Sequence, residues 1–489
     1  MINRLKQLAS LMAIAAGVLM AACHENMDHA QTVSEYPVIV PDYTKVTIPA
    51  SIAPLNFTVQ EPFERINAVI EGIHGERIEL QGKKNIRIPI KEWHTLLEKN
   101  KGDSLHITVA VKHNGQWRRY EAFPIYISEY PIDYGLVYRL IAPGYEVYSK
   151  MGIYQRELST YRQTTLIENT LIPGSCMNCH SFKQTTPDNM NLHIRGEYGG
   201  TLLQIGGKSD ILNLKTEKTI SGGVYPYWHP SGKYIAYSVN IIGQVFHAAS
   251  VDKRIEVADS ASDIIVYDID GNRILSTPLL QTDAFETFPS FSPDGRSLYF
   301  CCSAKHLLPT EYKEVRYNLC RIDFNPETGA FGNRIDTLIH ADNMQKSISF
   351  PRPSYDGKYL MYTLSDYGNF SIWHKEADLW LLDLQSGETR PLSEVNTPDT
   401  ESYHSWSSNS RWFVFSSRRE DGLYTRLYIA SIDENGQVSK PFLLPQREFE
   451  VYTHSLYSYN VPEFVSGPVD INIRETEQKI LSKVRKQAQ

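Results

Sequence analysis

The residues with the most chemical content in this chain are "CMNCH", Cys176 to His180. Two cysteines separated by two residues, with a histidine directly after the second, form the attachment motif for c-type haem. The spacing has a physical reason. Two thiols bond the two vinyl groups on one edge of the porphyrin, and the adjacent imidazole supplies the proximal iron ligand. On this reading Cys176 and Cys179 hold haem c covalently and His180 ligates the iron. Met190, ten residues on, is the expected distal ligand, and its thioether would tend to raise the potential. His193 is on the same strand, but alternation puts it on the opposite face; His229, His404 and His454, at or near inner-strand positions of other copies, are further candidates. An open sixth position would instead allow ligand sensing or peroxidase-like chemistry. Three other readings of the motif stay open. A zinc site needs a second ligand pair, and Cys301, Cys302 and Cys320 do not form another Cys-x-x-Cys. A thioredoxin-like redox pair belongs in a βαβ context. A structural Cys176–Cys179 disulfide would leave His180 incidental.

Haem attachment of this kind takes place after export, and the N-terminus reads as an export signal. Arg4 and Lys6 precede the apolar run Leu8 to Ala22, which is short for a membrane-spanning helix. It ends in Met20-Ala21-Ala22-Cys23, small residues before a cysteine, and so resembles a bacterial lipoprotein signal in which Cys23 is acylated. Removing residues 1–22 takes away Arg4 and Lys6 and moves the net charge from −7 to −9. That balance argues against a nucleic-acid partner, which needs basic patches. No later apolar stretch is long enough to span a bilayer, so the expectation is a soluble body tethered to the cell envelope.

The body that must position the motif is repetitive. "YPYWHPSGKYIAYS" begins at Tyr225, "FPSFSPDGRSLYFCCS" at Phe288, "FPRPSYDGKYLMYTLS" at Phe350 and "YHSWSSNSRWFVFSS" at Tyr403. Each copy gives an aromatic residue, a short strand, a polar turn and an alternating strand. Pro sets φ and Gly supplies positive φ in such turns, so each joins antiparallel strands. A further strand pair follows in every copy, beginning near Asp263, Tyr317, Asp378 and Arg426. Four strands per copy is the unit of a β-propeller. "CMNCHSFKQTTPDNMNLHI" reads as another copy, with its turn at Pro187-Asp188-Asn189. "GLVYRLI" and "MGIYQREL" (between Gly135 and Leu158) are strands without a first member, and "HSLYSYNVPEF" (His454 to Phe464) is a first strand without followers. Pairing them closes a sixth blade and protects open edges.

The hallmark of an aromatic residue, then Pro-x-aromatic-Ser-Pro-Asp-Gly-(Lys/Arg), resembles the TolB-like, WD-like propeller family, over about residues 130–465. The copy at Tyr403 lacks both Pro and Gly. With the export signal and the cysteine motif, the chain resembles a haem-bearing propeller lipoprotein of Bacteroidetes-type envelopes.

The expected organisation is all-β: signal 1–22, flexible tether 23–35, small Ig-like β-sandwich 36–130, six-bladed propeller 131–467 and charged tail 468–489. Asn114-Gly115 marks a hairpin in the first domain, and "KEWHTLLEKN" a short helix. Cys302 with Cys320 is a plausible disulfide, with buried free thiols as the alternative. No nucleophile elbow, zincin motif or phosphate loop is present. The expected function is electron transfer by a membrane-tethered c-type cytochrome-like protein at the outer membrane, with a redox partner docking on the propeller rim. The alternative is a non-enzymatic binding propeller with a structural Cys-x-x-Cys, and a third class is a glycan-active or peroxidase-like enzyme using the channel.

Overall fold

The structure is a computed structural model that describes residues 30–143, 150–247, 255–448 and 450–489. The export segment and Cys23 lie outside the described residues. The chain is almost all β, with a few short helices. No helix among the described residues is long and apolar enough to cross a membrane. Two compact units are present, one built from residues up to 45 with 54–127, the other from 46–53 with 128–489.

In the first unit, Arg65–Gly72 lies between Arg77–Gly82 and Ser104–His113, all antiparallel. Asn114 and Gly115 take φ of 50° and 75°, and His113 pairs with Gln116 across them. This is the two-residue hairpin the Asn-Gly dipeptide predicts. The helix Ile90–Lys99 buries Trp93, Leu96 and Leu97.

The second unit is a propeller-like ring of antiparallel sheets. Each repeat contributes a first strand: Cys176–Lys183, Gly223–Trp228, Phe285–Phe291, Ser347–Pro353 and Glu401–Trp406. Each first strand contacts the next. The C-terminal strand Ser458–Val465 contacts both Glu401–Trp406 and Cys176–Lys183, which closes the circle. That strand also pairs with Gly135–Ile141, which continues into Gly152–Glu157 and Gln163–Glu168. Strands from the start and the end of the repeat region thus share one sheet, so Gly135–Ile141 is not left as an edge.

Every inner strand carries the same irregularity. The ladder slips between Val224 and Tyr227, Thr287 and Ser290, Ser349 and Arg352, Ser402 and Ser405, and Asn178 and Ser181. The Ser458–Val465 strand slips likewise against Val137 and Arg139. At each slip one residue takes positive φ: Tyr225 (48°), Phe288 (53°), Phe350 (52°), Tyr403 (50°), Cys179 (54°) and Val461 (51°). Non-glycine residues rarely adopt this region, and a bulge re-aims a side chain where it occurs. Here it turns the aromatic side chains together. The Phe288 ring lies 4.1 Å from Phe350 and 4.6 Å from Tyr225, and Phe350 lies 5.0 Å from Tyr403, centroid to centroid. Four rings from four repeats therefore meet between the inner strands.

Two turns depart from the repeat pattern, and the second corrects an expectation. The copy at Tyr403 lacks the turn glycine, yet Ser410 takes φ of 59° in its place, and its hydroxyl accepts the Asp356 N–H at 3.0 Å. In the cysteine copy the turn is not at Pro187-Asp188-Asn189. It is at Gln184 and Thr185 (φ 42° and 64°), with Lys183 paired to Thr186, so Pro187 to Asn189 already belong to the strand Thr186–Arg195. Two consecutive positive-φ residues match the right-handed twist of a two-residue hairpin. The C-terminal residues are ordered by packing. Helix Ile473–Leu481 is capped by Asn472, Ile480 is buried, and Lys486–Gln487 pairs in parallel with Leu212–Asn213.

Candidate functional site

Cys179 and Val461 stand at the register where four other repeats place an aromatic ring. Their strands are neighbours. Replacing two adjacent rings by small side chains leaves room, and a cavity of about 320 Å³ is found there. Cys176, Cys179 and His180 all line it, with Tyr225, Tyr403 and Val461. The motif therefore borders a partly open cavity, and all three of its chemically active residues line it.

Each group has a distinct environment. Cys176 pairs directly with Arg195 across the hairpin. Its thiol is held above the ordinary range by burial, against the pull of Arg139 and Arg195. Cys176 and Cys179 are free and half-buried. His180 occupies the position that is proline in four other repeats (Pro226, Pro289, Pro351 and Pro462) and histidine in one (His404). It is 2% exposed. Burial pushes its pKa down to about 4, partly offset by a hydrogen bond to the Val137 backbone. The imidazole is thus neutral at pH 7. Its Nε2 is buried with no hydrogen-bond partner, so the ring proton is assigned to Nδ1, facing Val137. A buried donor or acceptor left unpaired costs about 1–3 kcal/mol. A free Nε2 whose sister nitrogen is fixed on a backbone carbonyl is also the arrangement of a metal-ligating histidine.

Of the other candidate ligands, His404 lines the cavity and Met190, His193, His229 and His454 do not. Met190 is fully buried on the opposite face of its strand, in an apolar cluster with Met177, Phe182, Leu192 and Val137. It pairs with Phe182 and does not line the cavity. His193 approaches Thr201 Oγ1 at 3.3 Å. His229 bonds Ser231 and the Gly295 carbonyl, 2.7 and 3.0 Å away, and packs on Phe291. His454 is exposed on the short helix Val451–His454, outside the inner strand. His404 does line the cavity; its Nε2 is engaged by the Met361 carbonyl at 3.0 Å, while its Nδ1 is buried with no hydrogen-bond partner. Among the described residues no three His, Cys, Asp or Glu side chains converge as a metal-binding group. Cys302 and Cys320 are free thiols rather than a disulfide; the Cys320 thiol and burial together push Cys302 far up.

Sequence reasoning missed the charged lining. Arg139, Arg195, Arg352 and Arg418 border the cavity, with Glu463 as the one carboxylate among the described lining residues. Glu463 Oε2 accepts the Phe182 N–H at 2.9 Å. Burial raises its pKa to about 7, with Arg352 pulling the other way. Arg352 and Glu463 both sit two positions after the bulge, where the other repeats carry Ser or Tyr. Aligning the repeats on the bulge is the signal that finds them.

No family model matches the chain, and no curated protein matches it. Solved structures align with the chain at low identity and low TM-score. An oligogalacturonate lyase in complex with manganese aligns over 64% of this chain and 75% of its own, with 11% identity and a TM-score of 0.36. The tricorn protease aligns over 79% of this chain and 36% of its own, with 11% identity and a TM-score of 0.33. A DUF4784 family protein from Bacteroides caccae aligns over 73% and 97%, with 7% identity and a TM-score of 0.29. Nothing about the chemistry of this chain follows from likenesses at that level.

Proposed function

We propose that this chain is an exported, lipid-anchored c-type cytochrome-like protein: a six-bladed, TolB-like propeller that carries one covalent haem. The first domain is a small Ig-like β-sandwich on this reading, and acylated Cys23 tethers the protein to the envelope, at the outer membrane. One observation carries the haem assignment. A neutral, buried imidazole with a free Nε2 and two free thiols share one cavity wall. A structural Cys-x-x-Cys gives no reason for either feature. The donor set fits haem c: Cys176 and Cys179 for the two thioethers, His180 Nε2 for the iron. The cavity volume is at the low end of the roughly 300–1,000 Å³ typical of ligand sites, so the donors rather than the space support the reading.

When bound, haem supplies reversible one-electron chemistry at iron. The chain's own residues do the rest. A hydrogen bond to the Val137 backbone would favour the His180 tautomer that leaves Nε2 for the iron. Tyr225, Phe350 and Tyr403 give the cavity aromatic walls. The rim would dock a redox partner, and the proposed role is electron transfer rather than turnover of an organic substrate. The test is export in cells with c-type maturation machinery, followed by a haem stain on a denaturing gel beside Cys176→Ala/Cys179→Ala. Haem in the parent and none in the variant is expected. No covalent haem in the parent, with a positive control attached in the same cells, would leave a binding propeller with a structural Cys-x-x-Cys.

A further inference from the structure

The remaining unexplained feature of the cavity is its charge. Arg139 and Arg195 both line it and both stand half-buried beside Cys176. Arg195 is the direct cross-strand partner of Cys176, and Arg139 reaches in from the neighbouring sheet. Among the described residues neither makes an ion pair or a side-chain hydrogen bond, and Arg139 Nε is buried with no partner. Other buried arginines of this unit also carry an unpartnered Nε, Arg156 and Arg418 among them, but their terminal nitrogens are bonded. Arg156 bonds the Pro445 carbonyl and Gln446, Arg419 bonds Glu401 at 2.9 Å, and Arg426 bonds the Tyr452 and Tyr457 carbonyls. Glu463 does not neutralise the pair, because its carboxylate is turned to Phe182 N–H and Arg352.

The fields of the two free cations fall on the cavity itself. Arg139 acts on Cys176, His180 and Tyr403, and Arg195 on Cys176 and Tyr225. A cleft lined by one sign of charge with apolar walls concentrates the opposite ion. The planar guanidinium is also the group best shaped for two-point binding of a carboxylate or phosphate. A partly open cavity of about 320 Å³ suits a small ligand.

We propose that Arg139 and Arg195 form an oxyanion site inside the cavity, beside Cys176, which takes a carboxylate or a phosphate-type group. This does not rest on the haem reading. The same chemistry is available from a carboxylate of bound haem or from a free small anion, and the experiment separates the two.

Haem-free protein is titrated calorimetrically with sodium succinate and with sodium phosphate, at constant ionic strength set by chloride. Saturable binding of at least one probe is expected. Arg139→Gln/Arg195→Gln should weaken it at least tenfold, while Arg139→Lys, which keeps the charge, should stay within a few-fold. Thermal unfolding confirms that each variant is folded. Protein with covalent haem is titrated in parallel. Loss of binding there assigns the site to the haem carboxylates, and retained binding assigns it to a free anion. The proposal is overturned if the haem-free parent shows no saturable binding of either probe. It is equally overturned if the folded double-glutamine variant binds as the parent does. A chain that never takes up haem would sink the haem reading and leave this result standing.

Discussion

Val461→Phe tests the origin of the cavity. Val461 has the same bulge conformation as Tyr225, Phe288, Phe350 and Tyr403, with φ of 51° against 48–53°, so the backbone already accepts an aromatic residue. It lines the cavity and packs on the cluster that contains Phe350 and Tyr403. Phenylalanine carries four more carbons than valine. At about 0.8 kcal/mol per buried CH₂, filling the space contributes up to about 3 kcal/mol. A β-branched residue at positive φ is itself strained, by about 1 kcal/mol or more. The expected net gain is about 2 kcal/mol, since some of the ring will meet Tyr403 and Phe350 imperfectly. Thermal unfolding of the haem-free protein should move up by several degrees. Haem attachment, or succinate binding, should fall at the same time, because the added ring occupies the ligand's space. A lower melting temperature with attachment unchanged would refute the idea that the cavity exists because two rings are missing.

Three further outcomes follow from the same geometry. Met190→Leu should be nearly neutral and Met190→Ala should cost about 2–5 kcal/mol, with neither changing the absorption spectrum of bound haem; a spectral change with Met190→Leu would restore it as a ligand. Phe350→Ala should cost about 3–5 kcal/mol in urea unfolding, because its ring touches three others, and a loss under 1 kcal/mol would show that the rings do not pack as a unit. His404 is buried and its pKa is pushed down to about 3, so the folded state favours the neutral ring. Its contribution is complete above pH 6.5 and is lost as the pH falls toward 3, reaching about 4 kcal/mol at the acid end. His404→Gln should flatten that part of the stability–pH curve, and parallel curves for the two proteins would contradict the assignment.

The repeats were legible because they combine turn chemistry with alternation. The aromatic-Pro start and the Asp-Gly turn at Phe288 need no tertiary information. The cysteine motif was legible for the same local reason. Met190 was not, and the cause is specific. Reading the turn at Pro187–Asn189 places Met190 just beyond it, on the motif's side. The turn is three residues earlier, and the bulge at Cys179 adds its own slip, so the alternation that reaches Met190 ends on the other face. Arg139 and Arg195 were invisible for a different reason. They lie on the second strands of two neighbouring sheets, and only closure of the ring by Ser458–Val465 brings them to one cavity. The paired role of Cys179 and Val461 needed the bulge register, since only positive φ at all six positions identifies them as missing rings.

The measurement that tests the account most directly is the intact mass of the exported protein under denaturing conditions, made in cells with c-type maturation machinery. The account predicts a gain of one haem on the parent chain and none on Cys176→Ala/Cys179→Ala. A parent that carries no such gain, while a control cytochrome in the same cells does, would contradict it.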